Sequence, residues 1–164
     1  MAQERFWKEL YQLKVHINYV EAHIHEAEQY DRAIKIVMAV TSSASIGAWV
    51  IWKNLSMLWA SIIAMSQVIS AVSPHLPFKE RLKTYSSVLH ELEELFIHAE
   101  SKWHEIADGK MDEEDVNKLR TSIRLQKHKI LKKNLASSVI PDSKEKAEKA
   151  EVLALNYFSN FYPA

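Results

Sequence analysis

Cysteine is absent from this chain of 164 residues. That excludes a disulfide framework, a thiolate zinc site and a cysteine nucleophile. Glycine occurs twice and proline four times. Strand-like alternation is lacking as well, and Ala, Leu, Ile, Glu and Lys are plentiful, so the composition predicts an all-α chain. Lys and Arg balance Asp and Glu at 21 each, which leaves no global field to steer a charged partner. A Gly-rich phosphate loop, a nucleophile elbow and a zincin motif are all missing. His23 and His25 flank Ile24 with Glu21 nearby, and His90, Glu94 and His98 share one helical side. Di-iron bundles use a Glu followed three residues later by His, a spacing that does not occur here. These residues therefore read as exposed helical side chains. The expectation is a protein that is not an enzyme and holds no metal or cofactor. The N-terminal stretch is charged, unlike a cleavable signal segment.

A further absence organises the rest of the sequence. Residues 36–52 and 55–78 contain no Asp, Glu, Lys or Arg, and only Lys53 and Asn54 separate them. Two apolar arms with so short a gap predict a tight helical hairpin, with arms 36–52 and 55–73. A membrane-spanning helix takes roughly 17–25 mostly apolar residues, which suits both arms. Trp49, Trp52 and Trp59 cluster about the turn, where interfacial anchors sit. Arg32 and Lys35 precede the first arm, and Lys79, Arg81 and Lys83 follow the second. The positive-inside rule then places both termini in the cytoplasm. The competing reading is a hairpin buried in a soluble bundle, since Thr41, Ser42, Ser43, Ser45 and Gly47 make the first arm only weakly apolar. Ala39, Ser43 and Gly47 recur every four residues, a spacing that lets backbones approach closely in lipid. Ser66, Ser70 and Ser73 form a polar stripe on the second arm, with Gln67 beside it. Such a stripe faces protein or water, as helix packing or as a pore lining. Charged residues are the usual signature of ion-coupled transport, and their absence from both arms disfavours it. Pro74 and Pro77, around His75, predict a break where the second arm ends.

Two long amphipathic helices flank the hairpin. Over 3–34, Phe6, Leu10, Leu13, Ile17, Val20, Ile24 and Ala27 step by four and three; over 78–107, Phe78, Leu82, Tyr85, Leu89, Leu92, Phe96, Ala99, Trp103 and Ile106 do the same. Each is a heptad seam asking for a partner. The hairpin reverses the chain, so the two predict an antiparallel cytoplasmic stalk, paired within one chain or between copies. Asp108-Gly109 ends the second of these helices, and Asp112 caps a basic helix over 113–133. No acidic residue lies between Val116 and Ile140. Arg124, Lys127, Lys129, Lys132 and Lys133 are candidates for anionic lipid or partner contact, against the plainer reading of a solvated helix end. The lack of Phe, Tyr or Trp in that stretch disfavours direct nucleic-acid binding. A linker over 134–141 leads to a last helix starting near Asp142 and Ser143. Its end carries Tyr157, Phe158, Phe161 and Tyr162, which predict docking on the stalk, a partner or the membrane surface.

The long first helix, the tight hairpin, the returning helix, the turn Asp108-Gly109-Lys110-Met111-Asp112 and the basic helix together resemble the SLATT family of small bacterial proteins with two transmembrane helices. The resemblance covers roughly residues 5–133 and rests on layout and hydrophobic pattern. It implies a SLATT-like domain over 1–133, followed by a linker, a C-terminal helix and an aromatic tail over 134–164. It also implies a homo-oligomeric effector in the bacterial inner membrane, silent until a defence-system partner senses phage. That partner is a nucleotidyltransferase, a nucleotide sensor or a reverse transcriptase complex. Activation then permeabilises the membrane and arrests growth. A membrane-anchored adaptor and a soluble helical oligomerisation module are the alternatives. The basic helix and the aromatic tail are where a trigger is expected to act.

Overall fold

The computed structural model describes residues 2–51, 56–72, 78–136 and 139–162, apart from the side chains of 40–51, 56, 59, 78 and 79. Among them are five helices and no strand: α1 (Ala2–Ile51), α2 (Ser56–Val72), α3 (Phe78–Ala107), α4 (Glu113–Asn134) and α5 (Lys144–Phe161). The helices anticipated at 3–34 and 36–52 are one continuous α1. Neither Pro nor Gly interrupts α1 before Gly47, so nothing in the chain ends the hydrogen-bond ladder near residue 35. By contacts the chain forms two compact units, one of residues 1–24 and 83–164 and the other of residues 25–82.

The first unit is built on α1 and α3. Phe6, Leu10, Leu13, Ile17 and Val20 of α1 are buried in one cluster with Tyr85, Leu92, Phe96, Ala99 and Ile106 of α3. Gln3 Nε2 donates to the Ile106 carbonyl at 2.8 Å. The Trp7 and Trp103 rings lie 4.8 Å apart, and His23 meets Tyr85 at 6.4 Å. Early residues of α1 thus meet late residues of α3, so the pair is antiparallel and lies within one chain. Val88 and Leu95 are buried too, off the simple heptad seam. The buried face of α3 is wider than a two-helix seam because α4 and α5 also pack on this pair. A fully buried leucine or phenylalanine contributes roughly 1.5–3 kcal/mol relative to exposure.

Local chemistry sets the helix ends. Gly109, at φ +69°, turns the chain after α3. Its N–H donates to the Ile106 carbonyl at 3.1 Å, and the Lys110 N–H donates to Glu105 at 3.0 Å. This pair of bonds is a Schellman motif, which satisfies carbonyls the helix leaves open. The Asp112 carboxylate accepts from the Asp115 N–H at 2.8 Å, and Ser143 caps α5 through the Lys146 N–H at 3.4 Å. Val116 and Ile123 hold α4 in the core. Ala150, Ala154 and Phe158 do the same for α5.

At about 100° per residue, Glu9 and His16, which meet α4, lie on the opposite side of α1 from Tyr11 and Asn18, which meet α5. On α3, Ser87 and Glu91 meet α4, whereas Phe96 and Glu100 meet α5. Within this unit α4 and α5 therefore flank the α1–α3 pair on two sides.

The second unit holds the later part of α1, with α2 and the start of α3. Here the burial pattern inverts. Met57, Met65 and Val68 of α2 are 87%, 65% and 63% exposed, and Leu58, Ile62 and Val72 are exposed as well. Ile63, Ser66 and Ile69 are half-buried and step by three along one side. Among the described residues no helix is long and apolar enough to cross a membrane. The 17 residues of α2 rise about 26 Å, against a hydrocarbon core of ~30 Å. Both expected arms, 36–52 and 55–73, reach beyond the described residues.

Candidate functional site

Two places collect the residues singled out from the sequence, one in each unit. The first is α2. It has no charged residue among Ser56–Val72, and nearly all of its described side chains are open to the surroundings. Ser66 is half-buried and its hydroxyl donates to the Ile63 carbonyl at 2.8 Å. Ser61 donates to the Met57 carbonyl at 3.0 Å. Both hydroxyls are thus satisfied inside the helix, which removes the main cost of placing serine in a medium without water. Ser70 is exposed on the same side as Ser66, and Gln67 is exposed beside them. Ala39 lies on an exposed part of α1. Ser43, Gly47 and Trp49 lie in α1 and Trp59 in α2, with their side chains outside the described residues. Trp52, the Lys53-Asn54 turn, Ser73, Pro74, His75 and Pro77 are likewise outside the described residues.

The second place is the first unit's two outer helices. The five candidate basic side chains of α4 divide into two groups. Arg124 Nε lies 3.4 Å from the Glu9 carboxylate, and Lys133 Nζ lies 3.0 Å from Glu91. Asn134 Nδ2 also donates to Glu91 at 3.0 Å, and its own carbonyl oxygen accepts from Ser87 at 3.1 Å. The Asn134 amide and the Lys133 ammonium hold the Glu91 carboxyl below its ordinary range. His16 Nδ1 lies 2.6 Å from the Gln12 carbonyl and 3.2 Å from Lys127 Nζ. Burial, with Lys127 adding to it, pushes the His16 imidazole down. Burial likewise lowers the Lys127 ammonium; Arg124 adds to the shift and Glu9 opposes it. The Arg124–Glu9 pair and the contacts of Lys133 and Asn134 with Glu91 and Ser87 tie α4 to α1 and α3. Lys129 and Lys132 are exposed and are the basic residues of this helix end best placed for an outside partner.

On the other side, the aromatic end of α5 is drawn into a cluster. Phe158 is 6% exposed and packs against Trp7 at 4.8 Å, Tyr11 at 5.8 Å and Phe96 at 6.3 Å. Tyr162 meets Trp7 at 5.4 Å and His104 at 6.1 Å. The Tyr157 and Tyr162 hydroxyls both donate to one Glu100 oxygen, at 2.7 and 3.1 Å. Lys14 Nζ stands 4.4 Å from the Tyr157 ring and 5.2 Å from that of Phe96, a cation–π arrangement. Phe161 stays 67% exposed, beside Tyr157 at 4.8 Å. The base of α5 is tied separately. Tyr19 Oη donates to the Pro141 carbonyl at 2.8 Å and accepts from the Ser143 N–H at 3.0 Å. Asn18, itself buried, donates to the Ala150 carbonyl at 3.1 Å.

Sequence reasoning did not single out Trp7, Tyr11, Lys14, Asn18 or Glu100. The first four lie at steps of four, three and four along α1, a second stripe beside the core seam that a search for a partner of the tail would have found. Glu100 carries no such signal, because a lone glutamate on a helix is ordinary.

Burial, reinforced by the Glu100 carboxylate, raises both phenols, Tyr162 to about 12 and Tyr157 further. A phenol whose folded pKa is raised adds stability that is complete below the unfolded value near 10. That stability is lost as pH climbs from about 10 through the folded values. Phenolate absorbance should therefore show a late-titrating class that Tyr157→Phe/Tyr162→Phe diminishes. Titration of all six tyrosines in one step near pH 10 would contradict the buried hydrogen-bonded pair.

No protein-family model, curated protein or solved structure matches the chain.

Proposed function

We propose that the chain is a membrane effector of a bacterial anti-phage system, anchored in the inner membrane by the hairpin of residues 36–73 with both termini in the cytoplasm. In this reading it assembles with further copies when a sensor partner is triggered, and the assembly permeabilises the bilayer. The observation that carries the reading is α2, a helix without charge whose Met57, Leu58, Ile62, Met65, Val68 and Val72 side chains are left uncovered by the described chain. Soluble monomers rarely expose contiguous apolar patches of such extent, and hydrocarbon removes the cost. The resemblance to SLATT proteins supplies the defence setting. Ser66, Gln67 and Ser70 are the residues that line water or pack helices in the assembly.

The test is leakage of a trapped dye from vesicles of anionic and zwitterionic lipid carrying the purified protein at rising density. Leakage is expected to rise more steeply than density, and Ser66→Leu/Ser70→Leu to remove most of it while the protein stays vesicle-bound. A parent protein that binds vesicles but leaks at no density contradicts the permeabilising role and leaves a membrane-anchored adaptor.

One observation favours a second reading. Among the described residues no helix is long and apolar enough to cross a membrane, which suits a helical oligomerisation module that buries α2 against other copies. Such a module stays in the aqueous fraction without detergent, in a defined assembly.

A further inference from the structure

We infer that α5 is a strap hinged at its base and latched at its tip, and that release of the latch at Glu100 is the regulated step. The inference rests on the effector reading for what release accomplishes, and on the first unit alone for its mechanics.

The lead-in to α5 is not helical, and two tyrosines fix it from different helices. Tyr19 holds Pro141 and Ser143, and Tyr85 Oη donates to the Val139 carbonyl at 3.3 Å. Along the helix the buried contacts use small side chains. Ala150 and Ala154 are buried, but each carries a single methyl group, so little apolar area is lost when they part. The substantial contacts gather at the far end. There one carboxylate oxygen accepts both phenols, and Phe158 sits among Trp7, Tyr11 and Phe96. The outer face carries Val152, with Leu153 and Leu155 at its edges, all exposed, so among the described residues no further layer clamps α5 from outside.

Energy concentrated at one end of a lever gives a defined opening step. Hydrogen bonds to a charged acceptor are stronger than neutral ones, and two of them share Glu100. Anything that withdraws that oxygen weakens both bonds together. Opening bares Trp7, Tyr11 and Phe96 on the α1–α3 pair while Tyr19 keeps the base in place. That is a change of surface without a change of fold, as a silent-to-active switch requires.

The experiment is amide hydrogen exchange on the full-length protein, parent against Tyr157→Phe/Tyr162→Phe. Removing both phenol bonds should accelerate exchange in residues 150–161 of α5 by about ten- to a hundredfold. Exchange in Ala2–Ile24 and in α3 should stay within about twofold of the parent. Glu100→Gln keeps an acceptor oxygen without the charge and should give a smaller acceleration. Unchanged exchange in α5 overturns the latch. Equal acceleration of α1, α3 and α5 overturns it as well, because the bonds would then belong to one cooperative unit. Dye leakage separates the two proposals. If α5 opens faster in the double variant and leakage does not change, the latch stands and its link to the effector reading fails.

Discussion

Leu92→Ala is expected to destabilise the first unit by about 2–5 kcal/mol, the range for emptying a leucine site in a packed core. Leu92 is 0% exposed and sits in the cluster shared by α1, α3, α4 and α5. A domain of this kind holds about 5–15 kcal/mol in total, so the loss is a large share of what keeps it folded. Ile97 lies on the same helix and is 65% exposed. Ile97→Ala should stay within about 0.5 kcal/mol of the parent. Urea unfolding followed by the fluorescence of Trp7 and Trp103, with the other three tryptophans replaced by phenylalanine, reports this unit alone. Equal midpoints for the two variants would contradict the placement of the core.

Met65→Arg/Val68→Arg in α2 should abolish membrane association. Each arginine near the centre of a spanning helix costs about 2.5–3.5 kcal/mol on insertion scales, and the pair would remove the driving force of the proposed hairpin, whose first arm is only weakly apolar. The same substitutions would be nearly neutral on a surface bathed in water, within about 0.5 kcal/mol each, because both parent side chains are more than half exposed. Membrane pelleting of parent and variant therefore separates a lipid-covered α2 from a water-covered one. If α2 is instead covered by other copies, the parent is a soluble oligomer and the arginines dissociate it, which size-exclusion chromatography resolves.

The parts of the fold legible in the sequence are those with a short period or a local chemical rule. Phe6, Leu10, Leu13, Ile17 and Val20 recur with the helix period, and they are the buried face of α1. Asp112, Gly109 and Ser143 act on groups within a few residues of themselves, so turn and cap chemistry finds them. Val88 and Leu95 escape a two-helix seam because burial on α3 depends on helices far along the chain. Glu100 escapes for the same reason. Its partners Tyr157 and Tyr162 are 57 and 62 residues away, and no spacing rule reaches so far. Likewise, a charge run identifies Arg124, Lys127 and Lys133 as basic but does not reveal that Glu9, His16 and Glu91 stand beside them. At the candidate membrane helix, the lack of charge was legible and pointed to an apolar surrounding. What supplies that surrounding is a property of the partner medium and not of the chain.

In the proposed function residues 36–73 are embedded in lipid. An alkaline-carbonate wash of membranes from cells expressing the full-length protein tests it most directly. The wash strips peripheral proteins and leaves embedded ones. The parent protein should stay in the washed membrane, and the Met65→Arg/Val68→Arg variant should not. Release of the parent into the wash, or its recovery in the soluble fraction from the start, would contradict the membrane reading and leave an assembly module that covers α2 with copies of itself.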